Sequence, residues 1–294
     1  MDTPSPHLAA IRTVQARCIS TSEPTASPRE EMVDVIMEVP LLIDVEGIER
    51  YTILCAPIDK RFLAMGFLFS EGLINGLDDI SLIRECEDDP NIVRVRLAGK
   101  GTDKNVYKAT DKNVYPTDEP RTMESGRNLV IVSSCGACGT EEFASKLEAL
   151  PKVGDSLRIE HTLLRSAIKD ISGNQPLFNA CGGTHWAGIF DGNGKLIAHA
   201  EDTGRHSALD KAIGKCLLNR VPFRGCWAVL SGRVSLEMVS KCARAGIELI
   251  AAISAPTSLA IETAERCGIT LCAFVRENRA TLFSHPHRII GLDE

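Results

Sequence analysis

The chain has 294 residues, of which 44% are hydrophobic and 24% are charged, and these values are ordinary for a folded globular protein. Its net charge of −6 argues against a general nucleic-acid-binding protein, because such proteins usually carry a basic excess. No apolar run approaches the ~20 residues that a membrane helix needs, and the first thirty residues lack the pattern of a signal peptide. We therefore expect a cytoplasmic protein with no nucleic-acid and no membrane partner.

The first half predicts a disordered tail followed by a smaller, mainly β subdomain. Residues 1–30 are rich in Pro, Ser and Thr, which is typical of disordered segments. Within 31–127, loosely alternating apolar residues predict a small antiparallel sheet, and a helical pattern opens at Pro57. A polar stretch over 99–127 contains the sequence DKNVY twice and predicts an extended loop or a short hairpin.

The second half, residues 128–294, predicts an α/β domain that carries the cysteine loop. Apolar runs alternate with helical patterns, which is typical of a sheet sandwiched by helices. The stretch 184–201 instead predicts a hairpin, because DGNG at 191–194 is a strong turn signal, so a mixed sheet is expected. The predicted strands lie at 129–132, 226–230, 247–253 and 270–275, and the predicted helices at 140–149, 204–218, 235–245 and 257–267.

The chain has eleven cysteines, most of which are scattered singly along the sequence. Only Cys135 and Cys138 lie close together in the sequence. The odd count and the scattered positions favour reduced cysteines over disulfides. The pair follows a predicted strand and precedes a predicted helix that begins near Thr140. Free N–H groups and the dipole at such a helix start lower the pKa of a thiol, and Gly136 and Gly139 leave room for a bulky sulfur acceptor. These features favour a thiolate nucleophile or a sulfur carrier.

Three other interpretations of the cysteine pair stay open. A structural zinc site needs four ligands, and the nearby candidates Cys181 and His185 lack zinc-finger spacing. A thioredoxin-like redox pair would lie early in a βαβ domain within an aromatic-Cys-Gly-Pro-Cys sequence, which is absent. The two cysteines could also be incidental buried residues.

Polar, glycine-containing turns follow several predicted strands of the second half. Such turns aim hydroxyl groups, N–H groups and helix dipoles at one crevice, so they predict a ligand-binding site. Alternatively, Asp202 or Thr203 caps the following helix. The crevice candidates are Gly183, His185, Asp202, Arg205, His206, Ser231, Arg233, Ser254 and Thr257.

The last long strand ends in a segment with two arginines. Arginine forks suit bidentate binding of phosphate, although solvated surface arginines give the same pattern. The segment consists of Phe274, Val275, Arg276, Glu277, Asn278 and Arg279.

The motif His199-Ala200-Glu201 and the later Pro256 follow the order found in zinc deaminases, where a Pro-Cys-x-x-Cys motif completes the metal site. Here the proline is followed by TSLA, so both cysteine ligands are missing. The sequence therefore permits a shared fold but argues against zinc-activated water. We expect no resident metal.

These motifs together resemble those of the FdhD family, the formate dehydrogenase accessory sulfurtransferases, over roughly residues 30 to 290. The resemblance implies a cytidine-deaminase-like core without the metal, and a homodimer. This chain departs from the family pattern at Thr203, Ser207 and His287. The segments that carry the resemblance are Gly66–Gly72, Ser134–Gly139, Ala200–Lys211, Ser231–Ser235, Ser254–Thr257 and His285–Pro286.

The resemblance also implies a role between a cysteine desulfurase and the molybdenum cofactor of formate dehydrogenase, bis(molybdopterin guanine dinucleotide), which would be a bound substrate. The persulfide-carrying cysteine of the family corresponds to Cys135, and Cys138 either moves the sulfur on or shapes the loop. The cofactor-binding segment of the family corresponds to Phe274–Arg279. Two alternatives are a chaperone that holds the cofactor without sulfur transfer, and a nucleotide-binding enzyme of another reaction.

Overall fold

The computed structural model describes residues 8–22, 27–99, 129–131 and 147–291. The strands are β1 Ile11–Cys18, β2 Arg29–Ile36, β3 Val39–Val45, β4 Glu49–Cys55, β5 Ile80–Glu85, β6 Ile92–Leu97, β7 Leu129–Ile131, β8 Ile159–Glu160, β9 His185–Phe190, β10 Leu196–Asp202, β11 Trp227–Leu230, β12 Leu249–Ala252, β13 Thr270–Arg276, β14 Arg279–Ser284 and β15 Ile289–Ile290. The α-helices are α1 Lys60–Ser70, α2 His161–Gly173, α3 Pro176–Cys181, α4 Arg205–Leu218, α5 Leu236–Ala245 and α6 Ser258–Cys267.

A six-stranded sheet in the order β10-β9-β11-β12-β13-β14 forms the centre of the second half. Strands β11, β12 and β13 are parallel, whereas β9, β10 and β14 pair antiparallel with their neighbours. The prediction of a mixed sheet is therefore confirmed, as is the hairpin formed by β9 and β10. The sequence analysis did not predict helices α2 and α3, which precede that hairpin.

The inner strands β9, β11, β12 and β13 are buried on both faces, which explains why they read as continuous apolar runs. Along β11, Ala228 and Leu230 belong to a core shared with α1, α4, α5 and α6. The alternate residues Trp227 and Val229 belong to a second core, on the face that packs against α2. Helices thus cover the sheet on both sides, as predicted.

A five-stranded sheet in the order β5-β6-β3-β4-β7 is built from four strands of the first half and from β7, which the sequence analysis had assigned to the second half. The predicted antiparallel pairing holds for β3 with β4, but β3–β6 and β4–β7 are parallel. The antiparallel prediction was thus only partly right, because the partners of β3 and β4 come from distant parts of the chain. Leu41 and Val93 of this sheet share the first core with Ile250 of the six-stranded sheet, so apolar packing continues from one sheet to the other.

Two predicted segments differ from, or lie outside, the described structure. The disordered tail was predicted to extend to residue 30, yet β1 pairs antiparallel with β2 from Ile11↔Ile36 to Cys18↔Arg29. The backbone of β1 therefore forms hydrogen bonds with β2, and the local composition, from which disorder was predicted, does not reveal them. The duplicated stretch within 100–128 and the cysteine loop within 132–146 lie outside the described residues. The domain boundary at 127/128 and the cytidine-deaminase-like core stay predictions.

Helices α1 and α4 approach each other so closely that only glycine fits at two positions. A methyl group added to Gly66 would lie 1.8 Å from the carbonyl oxygen of Asp210. A methyl group on Gly214 would lie 1.9 Å from the carbonyl oxygen of Phe62. Neither backbone carbonyl can move without separating the helices, so these glycines set the distance between the two halves of the fold.

We expect Gly66→Ala to lower the free energy of unfolding by about 2 kcal/mol or more, because the cost of overpacking exceeds the ~1 kcal/mol by which alanine favours a helix. The matched control is Gly173→Ala in α2, where an added methyl group meets no atom within 4 Å. That variant should be neutral or slightly stabilised. Equilibrium urea denaturation measures both, and equal stabilities of the two variants would contradict the close crossing.

Candidate functional site

The predicted turns gather along one edge of the six-stranded sheet. His185, at the start of β9, pairs with Asp202 at the end of β10, and Ala187 pairs with Leu230 at the end of β11. Because β11, β12 and β13 are parallel, Ser254 and Arg276 follow at the same edge. The strand ends that were expected to converge on one crevice thus lie at one edge of the sheet.

Contacts join neighbouring turns along this edge. The backbone of Val234 forms an isolated parallel bridge with Pro256. The N–H of Phe274 donates to the carbonyl oxygen of Ser254 at 3.2 Å, and the guanidinium of Arg276 donates to the carbonyl oxygen of Ile253. The turns thus form a continuous surface from His185 to Arg276.

A cavity of about 420 Å³ opens at one end of this surface, between the two sheets. His185, Arg205 and His206 line it, as do Thr203, Gly204 and Ser207 of the same turn. The opposite wall comes from the first half of the chain, with Glu38, Ile53, Leu54, Phe67 and Glu71. Three of the predicted site residues therefore share a cavity of a size that accommodates small ligands.

Asp202 lies beneath the cavity and is fully buried. Its carboxylate lies 2.6 Å from Nζ of Lys211, which is also fully buried. It also accepts hydrogen bonds from the N–H groups of Ala56 and Gly204, at 3.2 and 3.0 Å. Asp202 therefore offers no surface to a ligand; it joins the end of β4 to the turn before α4. The alternative prediction that Asp202 or Thr203 caps α4 was wrong, because Gly204 is the N-cap residue and no side chain caps the helix.

A second buried ion pair forms the cavity floor. Nζ of Lys241 in α5 lies 2.7 Å from the carboxylate of Asp210 in α4, which also accepts a hydrogen bond from the hydroxyl of Ser70 at 2.7 Å. Lys241 lies 3.9 Å from Glu71 as well. These contacts fix α1, α4 and α5 relative to one another at the cavity.

Glu201, which corresponds to the acid of the deaminase-like motif, is occupied by structural contacts. It accepts hydrogen bonds from the N–H groups of Leu177 and Phe178 at 2.9 and 2.8 Å, and from the hydroxyl of Thr184 at 2.8 Å. With these three donors and only 5% exposure, the carboxylate holds α3 against the sheet. This arrangement leaves no room for a role as a proton donor to a ligand.

His185 is held in a setting that disfavours its charged form. Burial, and then the positive charge of Arg205, lower the pKa of the imidazole. A methyl group on Gly232 would lie 3.2 Å from Nδ1 of His185 and 3.3 Å from Cβ of Arg205, so this glycine lets the two side chains pack at the edge. The neutral imidazole is thereby favoured, and in that form one ring nitrogen donates a hydrogen bond and the other accepts one.

Other predicted crevice residues lie at the same edge but have structural contacts. Ser231 accepts a hydrogen bond from the N–H of Trp186 at 2.8 Å and so extends the pairing of β9 and β11. Thr257 caps α6 by accepting from the N–H of Ala260 at 3.2 Å. Gly183, Arg233 and Ser254 lie on the edge without lining the cavity described above.

The segment Phe274–Arg279 forms the hairpin between β13 and β14, with Glu277 and Asn278 in the turn. Arg276, Asn278 and Arg279 are exposed, whereas Val275 is 1% exposed and belongs to the second core. The side chain of Val275 therefore cannot contact a ligand. Glu277 pairs with Arg165 of α2. The two arginines are available at the far end of the edge, outside the cavity lining.

Sequence reasoning did not name five polar residues of the cavity as site residues: Glu38, Glu71, Ser207, Asp210 and Lys241. Glu71, Ser207 and Asp210 lie within segments that carry the family resemblance, and that signal could have found them. Glu38 and Lys241 come from β2–β3 and α5, and only the tertiary structure brings them to the site.

Within the described ranges, no group of three or more His, Cys, Asp or Glu side chains is arranged to hold a metal ion. The expectation that the protein has no resident metal stays a prediction, since the cysteine pair lies outside these ranges. Among the same residues, no helix has the length and apolarity needed to span a membrane.

The architecture defines a class of protein with two mixed sheets, a shared core and a polar cavity between them. A crystal structure of a candidate formate dehydrogenase accessory protein from Desulfotalea psychrophila has the same fold, with a TM-score of 0.71 and 24% identity over 96% of this chain and 100% of that one. The family model for the FdhD/NarQ family matches residues 36–290.

Sequence relatives agree with that match. The sulfur carrier protein FdhD of Thermoplasma acidophilum is 36% identical over 265 residues, which cover 87% of this chain and 86% of that protein. The sulfur carrier protein FdhD of Bordetella bronchiseptica is 36% identical over 257 residues, with 87% of each chain covered. The chain belongs to the FdhD/NarQ family.

We expect Asp202→Asn to lower the free energy of unfolding by about 3–5 kcal/mol, because it leaves the buried ammonium of Lys211 without a counter-ion. The matched control is Asp59→Asn, since Asp59 pairs with Lys215 at 2.7 Å but the two side chains are 26% and 23% exposed. A loss of at most about 1 kcal/mol is expected there. Thermal and urea denaturation measure both variants, and similar losses would show that burial does not distinguish the two pairs.

Proposed function

We propose that this protein is a sulfur carrier that serves formate dehydrogenase and that it carries sulfur as a persulfide on Cys135. The observation that supports this most strongly is the match to proteins named sulfur carrier protein FdhD over 87% of the chain. Cys135 and Cys138 lie inside the matched range 36–290. They are also the only close pair among the eleven cysteines of the sequence.

The position of β7 supports delivery of sulfur to the cavity. Ile131, the last residue of β7, pairs with Ile53 of β4, and Ile53 and Leu54 line the cavity. Cys135 follows Ile131 by four residues in the sequence. The strand that precedes the cysteine segment in sequence therefore ends beside a residue of the cavity wall.

Several of the described cysteines make poorer sulfur carriers. Burial raises the pKa values of Cys55, Cys216, Cys242 and Cys272 to about 12, which keeps these thiols protonated and unreactive at pH 7. Cys181 is half-buried at the end of α3, and its thiol donates to the carbonyl oxygen of Leu177 at 3.1 Å. These contacts favour the Cys135 pair as the reactive site.

The sulfur relay follows from thiol chemistry. The Cys135 thiolate attacks the outer sulfur of a persulfide on a cysteine desulfurase; the donor S–S bond breaks and the donor cysteine leaves as a thiolate. In the transfer to bis(molybdopterin guanine dinucleotide), which binds as a substrate, a second thiolate attacks the inner sulfur of the Cys135 persulfide; a disulfide forms, the persulfide S–S bond breaks, and the outer sulfur leaves as sulfide for the cofactor. Cys138 either is that second thiolate or only shapes the loop.

The sheet edge supplies the binding surface for this cofactor in the proposal. His185, Arg205 and His206 would contact it in the cavity, and Arg276 and Arg279 would bind phosphate at the far end. We also expect a homodimer and a cytoplasmic location. The competing proposal is a chaperone that holds the cofactor without sulfur transfer, and the sulfur test below separates the two.

Cys135 should gain about 32 Da, roughly one sulfur, when the protein is incubated with a cysteine desulfurase and cysteine, because its thiolate accepts the outer sulfur. Peptide mass spectrometry locates the adduct. Cys135→Ser should lose both the adduct and the activation of formate dehydrogenase, whereas Cys181→Ser, the control, should keep both. An adduct on other cysteines alone would refute the assignment. Activation that survives Cys135→Ser would favour the chaperone.

Replacing Arg276 and Arg279 together with alanine should weaken the binding of guanosine diphosphate by about 2–4 kcal/mol if both bind phosphate, since hydrogen bonds to charged groups contribute ~1.5–3 kcal/mol and rarely add fully. Persulfide loading of Cys135 should be unchanged. The control is Arg165→Ala in α2. This change removes an exposed arginine that pairs with Glu277 of the β13–β14 hairpin. Calorimetry showing unaltered affinity in the double variant would place the phosphate site elsewhere.

A further inference from the structure

The five-stranded sheet has an inner face, which packs into the first core, and an outer face. Ile43, Val93 and Val95 lie on the inner face and are fully buried. Because side chains alternate along a strand, their neighbours Asp44 and Arg94 lie on the outer face. By this alternation and the strand register, the outer face consists of Leu42, Asp44, Glu46, Arg50, Thr52, Leu82, Arg84, Ile92, Arg94 and Arg96.

Four strands each contribute one charged residue to a row across the outer face. Register places Arg84 of β5 opposite Arg94 of β6. Asp44 of β3 follows, and it lies between Arg94 and Arg50 of β4. Nε of Arg50 lies 3.1 Å from the carboxylate of Asp44. Like charges directly opposite each other on antiparallel strands destabilise a sheet, so folding alone does not account for the Arg84–Arg94 pair.

A fourth arginine of the outer face lies next to this row. Arg96 pairs with Glu46, and its hydrogen bond is the main reason why the pKa of the Glu46 carboxyl is lowered. The positive charges of Arg94 and Arg84 add to that effect, so these side chains lie close to one another. The outer face therefore has four arginines and only the carboxylates of Asp44 and Glu46, although the whole chain has a net charge of −6.

The composition of the outer face resembles that of a protein interface. Leu42, Leu82 and Ile92 are half-buried, and they belong to neither hydrophobic core of the described residues. All cations of the face are arginines, and strands β3 to β6 contain no lysine. Arginine is enriched and lysine depleted at interfaces, because a guanidinium is weakly hydrated and pairs with a carboxylate through two parallel hydrogen bonds. The outer face therefore fits a protein surface that presents carboxylates beside apolar side chains.

The outer face belongs to the sheet from which the chain continues toward the cysteine pair. β7 is an edge strand of this sheet and pairs with β4, which carries Arg50. In the sequence, Cys135 follows the last residue of β7 by four residues. The cavity lies between the two sheets, and none of the outer-face residues lines it. A cofactor in the cavity therefore leaves the outer face accessible to a protein.

We propose that the outer face is the docking surface for an acidic surface of the cysteine desulfurase that donates the persulfide. The identity of this partner rests on the proposed function, because attack of the Cys135 thiolate on the donor persulfide requires the two proteins to meet. The sulfur acceptor in that proposal is the cofactor, which uses the cavity and has no need of this face. Carboxylates of the donor attract the arginines, speed the encounter of the two proteins and offset the repulsion between Arg84 and Arg94.

The rate at which a purified cysteine desulfurase, supplied with cysteine, loads Cys135 of the full chain tests the docking surface. Mass spectrometry follows the adduct. Arg84→Glu should lower this rate roughly tenfold at low salt, because the reversed charge repels the acidic donor. At about 1 M salt, where the Debye length is ~3 Å, the variant and the unmodified protein should load at the same rate. Arg84→Glu also places opposite charges across β5 and β6, so its thermal stability should be kept or raised.

The matched control is Arg224→Glu. Arg224 is an exposed arginine in the turn before β11, outside the five-stranded sheet, and its reversal changes the net charge by the same amount. This variant should load at the rate of the unmodified protein. Glutathione persulfide, a small donor that needs no docking surface, should load both variants and the unmodified protein equally. Biolayer interferometry measures binding of the desulfurase directly.

An unchanged loading rate in Arg84→Glu, an equal loss in Arg224→Glu, or an equal loss with glutathione persulfide would each overturn the docking surface. Normal loading of Arg84→Glu beside lost activation of formate dehydrogenase would assign the face to that enzyme and overturn the proposal. A lower mass of Arg84→Glu in light scattering would assign the face to a second copy of this chain, with the same consequence.

The binding measurement separates this proposal from the proposed function. If Arg84→Glu weakens binding of the desulfurase while no protein gains an adduct on Cys135, the docking surface is supported and the sulfur-carrier proposal alone is refuted. If the unmodified protein does not bind the desulfurase but Cys135 accepts sulfur from glutathione persulfide, the docking surface is overturned and the sulfur carrier stands.

Discussion

The crossing of α1 and α4 positions the elements that form the cavity. Gly66 and Gly214 allow the two helix backbones to come into direct contact. A methyl group at these positions would lie 1.8 and 1.9 Å, respectively, from a carbonyl oxygen of the other helix. This contact fixes the first sheet, which carries α1, against the six-stranded sheet, which carries α4. The cavity lies between these two sheets, so its width depends on the same crossing.

Two buried ion pairs stabilise this arrangement and also shape the site. Asp202–Lys211 joins the end of β10 to α4 and to the end of β4, and Asp210–Lys241 joins α4 to α5. Both pairs satisfy charges that would otherwise be costly inside a protein. Asp210 and Lys241 also line the cavity, so the second of these pairs is part of both the core and the site.

The sheet edge links the two ends of the proposed substrate site. Parallel strands β11 to β13 carry their terminal turns to one edge, and the hairpin of β9 and β10 adds His185 and the turn before α4. The cavity lies at one end of this edge and the arginines of the β13–β14 hairpin lie at the other. Such an extended surface suits an elongated substrate with two phosphate-bearing arms better than a compact one.

The sequence by itself determined the mixed sheet, the β9–β10 hairpin and the family, because turn signals, apolar runs and short motifs are local. It also named His185, Arg205 and His206 as candidates for one binding site, and these three residues line the same cavity. Only the tertiary structure decided that Asp202, Ser231 and Thr257 have structural contacts, since a polar residue after a strand reads the same whether it binds a ligand or a neighbouring amide. Long-range contacts likewise decided that β1 pairs with β2 and that Lys241 reaches the cavity, because the partners of these residues are distant in sequence.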